Sequence, residues 1–299
     1  MSDPKPGFVE NQRTLLIDGD TVAFIAAAAV QSTQEDFFGF VKPFANVVQG
    51  EACVDTIIQS LYRDLGGHSL QVYLSDPQGS WRLELQGAYK ANREQFVEGE
   101  AAKVRPLLLG RMKEYLKATY GATYWPGLEA DDVLGILMTE PQPYPGERVM
   151  VGRDKDFDTI PGLHHQIKKD IDSKGKPVVR EVTPEYADWF HLVQSLAGDR
   201  VDGYAGCPKV GMTLARQILA EPRELIPEEG RITRGPNKGS TTTKWVKKGS
   251  TDPWKTIVSW YVSKGQTEKE ALLNARLAHI LRHEDYDRET GAVRLWVPK

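Results

Sequence analysis

Cysteine is nearly absent from this 299-residue chain: there are two, Cys53 and Cys207, in no CxxC pair and with no histidine at a ligand spacing. That excludes a disulfide-held scaffold and a zinc ribbon, and it fits free thiols in a reducing compartment. Also missing is any apolar run near the roughly 18 residues that a membrane-spanning helix requires. Residues 1–12 are polar and carry Pro4 and Pro6, so no signal peptide is read there, and the expected location is the cytoplasm of the cell. His279 and His283 lie four apart but lack a third ligand or an intervening glutamate, which argues against zinc. Net positive charge is lacking too: the formal charge is −3, and total charge alone does not announce a nucleic-acid partner. What remains, 40% hydrophobic and 26% charged residues, is the make-up of a globular protein with a sizeable core.

What the chain does have is acid in a recurrent place. Residues 14–17 read as a buried strand ending at Asp18-Gly19-Asp20, and residues 70–74 as a second strand running into Ser75-Asp76. A third short strand is expected over 122–125. It leads through Pro126-Gly127 to Glu129, Asp131 and Asp132, in the first turn of a helix whose other face is the apolar run 133–138. Residues 148–151 read as a fourth strand, followed by Asp154-Lys155-Asp156-Phe157. Each acid has an ordinary explanation by itself, as a turn residue or as a helix start, where it complements the macrodipole by about 0.3–1 kcal/mol. Their common position is less ordinary, because ligands of open α/β sheets bind outside the strands' carboxyl ends. Glu129 and Asp132 share a helix face, and bare carboxylates about 4 Å apart repel by roughly 4 kcal/mol at an effective dielectric near 20. A cation therefore belongs among them, either Lys/Arg or a divalent metal.

Positive charge gathers elsewhere. Residues 81–93 interleave Arg82, Lys90 and Arg93 with Trp81 and Tyr89, which suits phosphate contact and base stacking but equally a solvated helix face. A helix expected around 104–120 adds Arg105, Arg111, Lys113 and Lys117, with Lys103 just before it. A second module begins near Thr183. There a helix over 186–197 and another over 212–220 flank glycines at 198, 203, 206 and 211, a tight multi-turn hairpin able to offer backbone amides to a phosphate. Asp199 and Asp202 are carboxylates that a plain hairpin does not need. Residues 231–251 are basic and acid-free, with Arg231, Arg234, Lys238, Lys244, Lys247 and Lys248 around Trp245, and read as a loop or extension against a nucleic-acid backbone or as a solvated linker. The last 45 residues look helical, ending in a strand over 293–297. The stretch holding Phe37, Phe38, Phe40 and Phe44 shows no clear period.

In order and spacing, Asp18, Asp76, Tyr89-Lys90-Ala91-Asn92-Arg93, Glu129-Ala130-Asp131-Asp132, Asp154-Lys155-Asp156-Phe157 and the glycine-rich segment 198–211 resemble the 5′-nuclease (flap endonuclease) superfamily. Within it the chain looks most like the bacteriophage 5′→3′ exonucleases, relatives of the 5′-nuclease domain of bacterial DNA polymerase I. The resemblance covers about residues 15–219, and 243–247 looks like the C-terminal region of short-tailed phage exonucleases. It implies an α/β fold: a central, mostly parallel sheet flanked by helices, a helical arch and a helix–three-turn–helix. The nuclease core is expected over 1–182, with the arch at about 80–120, and the duplex-binding module with its basic C-terminal extension over 183–299.

The resemblance also implies roles. Two divalent ions, Mg²⁺ with Mn²⁺ as substitute, are expected on Asp18, Asp76, Glu129, Asp131, Asp132, Asp154, Asp156, Asp199 and Asp202. Hard oxygen ligands suit Mg²⁺, and an ion pair suits in-line displacement at phosphorus. With Asp131, Lys90 and Arg93 are the expected catalytic groups, contacting the scissile phosphate, while Tyr89 stacks on an unpaired base. Arg82, Lys103 and Arg105 are expected on DNA, as are Gly203, Gly206, Lys209 and Gly211 of the helix–three-turn–helix, where relatives often hold K⁺, and Lys244 and Lys247 beyond it. Lys209 departs from the pattern, standing where many relatives have another glycine. The implied activity is 5′→3′ hydrolysis of duplex DNA and RNA–DNA hybrids, with flap cleavage, by a monomer serving phage replication, RNA primer removal and host DNA degradation. A PIN-type ribonuclease shares the acidic core but typically lacks the arch and the glycine-rich hairpin, and a non-catalytic DNA-binding relative would not need every core carboxylate.

Overall fold

The structure is a computed structural model that describes residues 12–35, 37–91, 105–141 and 146–298. In chain order its elements are β1 (Arg13–Asp18), α1 (Gly19–Ala29), β2 (Gln31–Glu35), β3 (Val41–Ala45), α2 (Val47–Asp64), β4 (Ser69–Tyr73), α3 (Arg82–Leu85), α4 (Leu109–Tyr120) and α5 (Ala130–Thr139). There follow β5 (Glu147–Gly152), a 3-10 turn (Lys155–Thr159), β6 (Gly162–Gln166), β7 (Arg180–Val182), α6 (Pro184–Ala197), α7 (Met212–Ala220), β8 (Arg223–Arg231), β9 (Thr241–Gly249), α8 (Pro253–Ser263) and α9 (Glu268–Ala278). They form two compact units: Met1–Trp81, Phe96–Pro184 and Ile280–Arg294 make the first, and Arg82–Gln95, Glu185–His279 and Leu295–Lys299 the second.

The first unit is α/β. Its five-stranded sheet has the order β4-β1-β5-β6-β7, parallel except for β7. The interior strand β1 is buried along its apolar run, as a parallel strand covered on both faces must be. Leu15 and Ile17 face a core with Ala23 and Ala26 of α1, Val54 and Ile58 of α2, and Met112 and Leu116 of α4. Strand alternation turns Leu16 the other way, and α5, which packs on β1, β4 and β5 without sharing that core, covers the opposite face. Asp18 caps α1 and Asn46 caps α2, whose stop is a left-handed Gly66. The phenylalanine-rich stretch is the hairpin β2–β3, with Phe37 96% exposed.

The second unit is a helical core of Phe190, Val193 and Leu196 from α6, Ile218 and Leu219 from α7, Ile257 and Tyr261 from α8 and Ala271 and Ala275 from α9. Three sequence expectations fail. Residues 122–125 make no strand, only a single parallel bridge from Thr123 to Tyr73, because Pro126-Gly127 turns the chain at once. Residues 293–297 hold one bridge, Val293 to Tyr286, and no strand. The basic run 231–251 is not a loop: its second half is β9, paired antiparallel with β8. His279 and His283 share no helix face either, since α9 ends at Ala278. Among the described residues no helix is long and apolar enough to cross a membrane.

Candidate functional site

In the first unit, chain direction alone brings the ends of β1, β4 and β5 to one edge of the sheet. Asp18 accepts from the backbone N–H of Thr21 at 3.1 Å and from its hydroxyl. It is 8% exposed. Burial first, then neighbouring Asp20 and the more distant Asp154, push its carboxyl up to about 7. Asp154 caps the 3-10 turn and accepts from Asp156 N at 3.0 Å, while Asp156 lies 3.9 Å from Lys155 Nζ. Asp76 accepts from Gln78 N at 2.9 Å and from Gly127 N at 2.7 Å, so it also ties down the turn that opens α5.

Asp20 is a residue that sequence reading passed over as part of a turn. Its carboxylate accepts from Ser75 N at 3.0 Å and pairs with Lys113 at 2.7 Å, and Ser75 Oγ accepts from Ala130 N at 3.0 Å. One short chain of bonds thus joins the ends of β1 and β4 to the first residue of α5. There Glu129, Asp131 and Asp132 each offer an oxygen within 4.8 Å of the others, the one cluster of metal-ligand type among the described residues. Glu129 and Asp131 are half-buried. Asp132 is fully buried and accepts from Trp81 Nε1 at 3.0 Å, Leu281 N at 3.1 Å and Glu129 N at 3.4 Å. It therefore faces inward, and Trp81, its indole donor, was read from sequence as a stacking aromatic or part of a solvated helix face.

The second unit corrects several expectations. Arg82 is not a DNA contact: it is 1% exposed, and its guanidinium donates to Leu277 O at 3.1 Å and His279 O at 2.6 Å, closing the carbonyl end of α9. Tyr89 is not a surface for base stacking. It is buried, with Lys90 Nζ 5.0 Å from its ring and its hydroxyl 3.5 Å from the Asp202 carboxylate. Lys90 takes a left-handed φ of 57°, donates its N–H to Asp202 O at 2.9 Å and places Nζ 3.9 Å from the Asp202 carboxylate. Asp202 thus faces Lys90 and the Tyr89 hydroxyl. Asp199 accepts from Val201 N at 2.8 Å and pairs by backbone with Tyr204. Arg93 and Lys103 lie outside the described residues, and Arg105 is exposed.

Between α6 and α7, Gly198, Gly203 and Gly206 take φ of 70°, 84° and 67°. Lys209, at a position where a glycine was expected, has φ 64°. Gly211 begins α7 in extended backbone. Gly206 N donates to Asn274 Oδ1 at 2.8 Å. In the β8–β9 pair, Lys244 stands opposite Glu228 and Lys248 opposite Glu224, so the acid-free run is folded onto an acidic partner strand. Lys247 stands opposite Leu225 with Nζ 5.8 Å from the Trp260 ring. Cys207 is buried, which pushes its thiol up to about 11.

No family model matches the chain. It is 35% identical over 230 residues to the exodeoxyribonuclease of Enterobacteria phage T3, covering 74% of this chain and 70% of that protein. With the exonuclease of Escherichia phage T7 the identity is 30% over 307 aligned positions, covering 97% and 95%. Among solved structures, T5 5′-exonuclease with bound divalent metal ions (zinc) superposes with a TM-score of 0.56 over 89% of both chains at 18% identity, a likeness of fold alone. At this identity and coverage, and with this fold, the chain belongs to the phage exonucleases of the 5′-nuclease superfamily.

Proposed function

We propose that the chain is a metal-dependent 5′→3′ exodeoxyribonuclease of duplex DNA and RNA–DNA hybrids, able also to cut 5′ flaps, in phage DNA replication and host DNA degradation. The observation that carries this reading is the convergence of acids from β1, β4, α5 and β5 on one sheet edge, with Glu129, Asp131 and Asp132 within 4.8 Å. The names of the T3 and T7 relatives support the activity, and the T5 enzyme's bound metals support the cofactor class.

The donor set fits a hard divalent cation: every group is a carboxylate, and Asp18 keeps its proton to about 7 because it is buried and, secondarily, because Asp20 and Asp154 add like charge. In this reading Asp18, Asp76, Glu129, Asp131, Asp154 and Asp156 would hold two Mg²⁺, for which Mn²⁺ substitutes, while Asp132 supports them from behind. When bound, such ions activate the attacking water and neutralise charge at the scissile phosphate. Lys90 and Arg93 hold that phosphate and stabilise the charge that develops on it. Lys103, Arg105, Lys209, Lys244 and Lys247 contact duplex backbone, Gly203, Gly206 and Gly211 let it approach, and K⁺ sits at the turns. The unit that carries the sheet-edge acids, which includes Ile280–Arg294, acts as nuclease core, and the unit built on α6 to α9 acts as duplex-binding module of a monomer.

Digestion of a duplex labelled at either end tests the direction. The 5′ label is released first, and earlier release of the 3′ label would overturn the reading. Lys90→Ala should lower kcat about 10²-fold with a much smaller change in DNA affinity, as loss of one preorganised charge contact does.

Metal dependence carries its own pH signature. Folding raises the Asp18 pKa from 3.8 to about 7, so the folded chain holds this proton more tightly than the unfolded one. This group's contribution to the metal-free fold is thus greatest below 3.8 and is lost as pH rises through about 7. A cation at the site relieves that loss but must displace the proton at low pH. Mg²⁺ should therefore raise the melting temperature more at pH 8 than at pH 5, which thermal denaturation at fixed ionic strength measures. An equal or smaller shift at pH 8 would contradict the assignment.

A further inference from the structure

A buried carboxylate is costly unless its oxygens are well supplied with donors. Asp132 meets that need from outside its own helix. Trp81, 51 residues earlier, supplies an indole N–H at 3.0 Å, and Leu281, 149 residues later, a backbone N–H at 3.1 Å. The segment carrying Leu281 then follows α5 along its length. At Gly135 a Cβ would lie 2.4 Å from Leu281 O, so glycine is what permits the chain to lie against the helix there. His283 N donates to Thr139 Oγ1 at 2.8 Å, and Arg288 pairs with Glu140 just past the last turn. Tyr286 packs its ring against Trp125 at 5.6 Å, beside the turn that opens the helix.

We infer that Trp81 and the segment 281–288 are positioning elements of the metal centre, acting through Asp132 to set the first turn of α5 and hence the aim of Glu129 and Asp131. Asp132 also accepts the N–H of Glu129 at 3.4 Å, and Asp131 Oδ1 accepts the N–H of Asp132 at 2.9 Å. A shift of the Asp132 carboxylate therefore displaces both neighbours. The inference rests on the assignment of Glu129 and Asp131 as metal ligands. Groups that orient metal ligands without touching the ion typically affect metal affinity or activity by about 10- to 100-fold when altered.

Two variants test it. Trp81→Phe keeps the ring and removes the donor, and Gly135→Ala drives Leu281 O off the helix without touching a carboxylate. Mn²⁺ binding by titration calorimetry, Mg²⁺ activation of DNA hydrolysis and thermal denaturation are measured on both, and on Asp131→Ala. Expected for both test variants is about a 10-fold or greater rise in the Mg²⁺ concentration at half-maximal rate, matched by weaker Mn²⁺ binding, with most of kcat restored at saturating Mg²⁺. A lowered melting temperature with unchanged metal requirement would reduce Trp81 and the segment to fold stabilisers and overturn the inference. If Asp131→Ala abolishes Mn²⁺ binding while the two variants bind normally, the positioning role alone fails. If Asp131→Ala binds Mn²⁺ normally, the ligand assignment fails and the positioning role with it.

Discussion

Asp131→Ala should leave a folded protein that binds duplex DNA and hydrolyses it about 10³-fold more slowly, or slower still. The expected loss follows from chemistry. A carboxylate that holds a divalent ion supports several kcal/mol of charge stabilisation in the transition state, and each 1.36 kcal/mol is about tenfold in rate. The fold should barely notice. Asp131 is half-buried and accepts the local N–H of Asp132 at 2.9 Å, and its removal forfeits about 0.3–1 kcal/mol of helix-dipole interaction while relieving repulsion from Glu129. DNA affinity should persist because the proposed phosphate contacts lie in other segments. Single-turnover rates in Mg²⁺, with fluorescence anisotropy for binding, check this. A rate within tenfold of wild type would remove Asp131 from the centre, and a loss of affinity as large as the loss of rate would make it a binding residue.

Gly206→Ala should have the largest effect on stability. Gly206 has φ 67°, where a side chain is penalised by about 1–2 kcal/mol. The added Cβ would lie 2.4 Å from Ala197 C and 2.4 Å from Gly198 N, and a contact with backbone is not relieved by a change of rotamer. Gly198 shows the same crossing from the other side, its Cβ falling 2.3 Å from Gly206 N. At this crossing the two backbones leave no room for a Cβ on either side. Separating them also breaks the bond from Gly206 N to Asn274 at 2.8 Å, so the total should reach about 4 kcal/mol. That corresponds to a fall in melting temperature on the order of 10 °C for a chain of this size. Duplex binding should weaken in parallel, whereas Mn²⁺ binding to the sheet-edge acids should survive below the transition. A melting temperature unchanged within about 2 °C would mean that the turns can open without loss.

Much of this arrangement is legible from residues alone. The apolar runs ending in acid at Asp18, before Asp76 and before Asp154 became β1, β4 and β5, whereas the shorter run 122–125 before Pro126-Gly127 did not become a strand. The glycine spacing between α6 and α7 likewise marked a tight multi-turn hairpin, whose turns place Gly198, Gly203 and Gly206 at positive φ. Charge misled where pairing decides its surroundings. Lys244 and Lys248 looked like part of an acid-free arm, yet β8 sets Glu228 and Glu224 opposite them. Arg82 and Tyr89 had the composition of a DNA-contacting surface, yet Arg82 satisfies carbonyls almost 200 residues away, at separations of 195 and 197.

The acids at Leu128 to Asp132 show the division most plainly. Sequence by itself determined that three carboxylates begin an amphipathic helix, because spacing, the preceding Pro-Gly turn and the apolar run are all local. Which of the three faces inward depended on where Trp81 and Leu281 come to rest, and only the packing of distant segments decides that. An indole and a backbone N–H delivered to one side of the helix make burial of Asp132 tolerable and leave Glu129 and Asp131 half-buried at the strand ends.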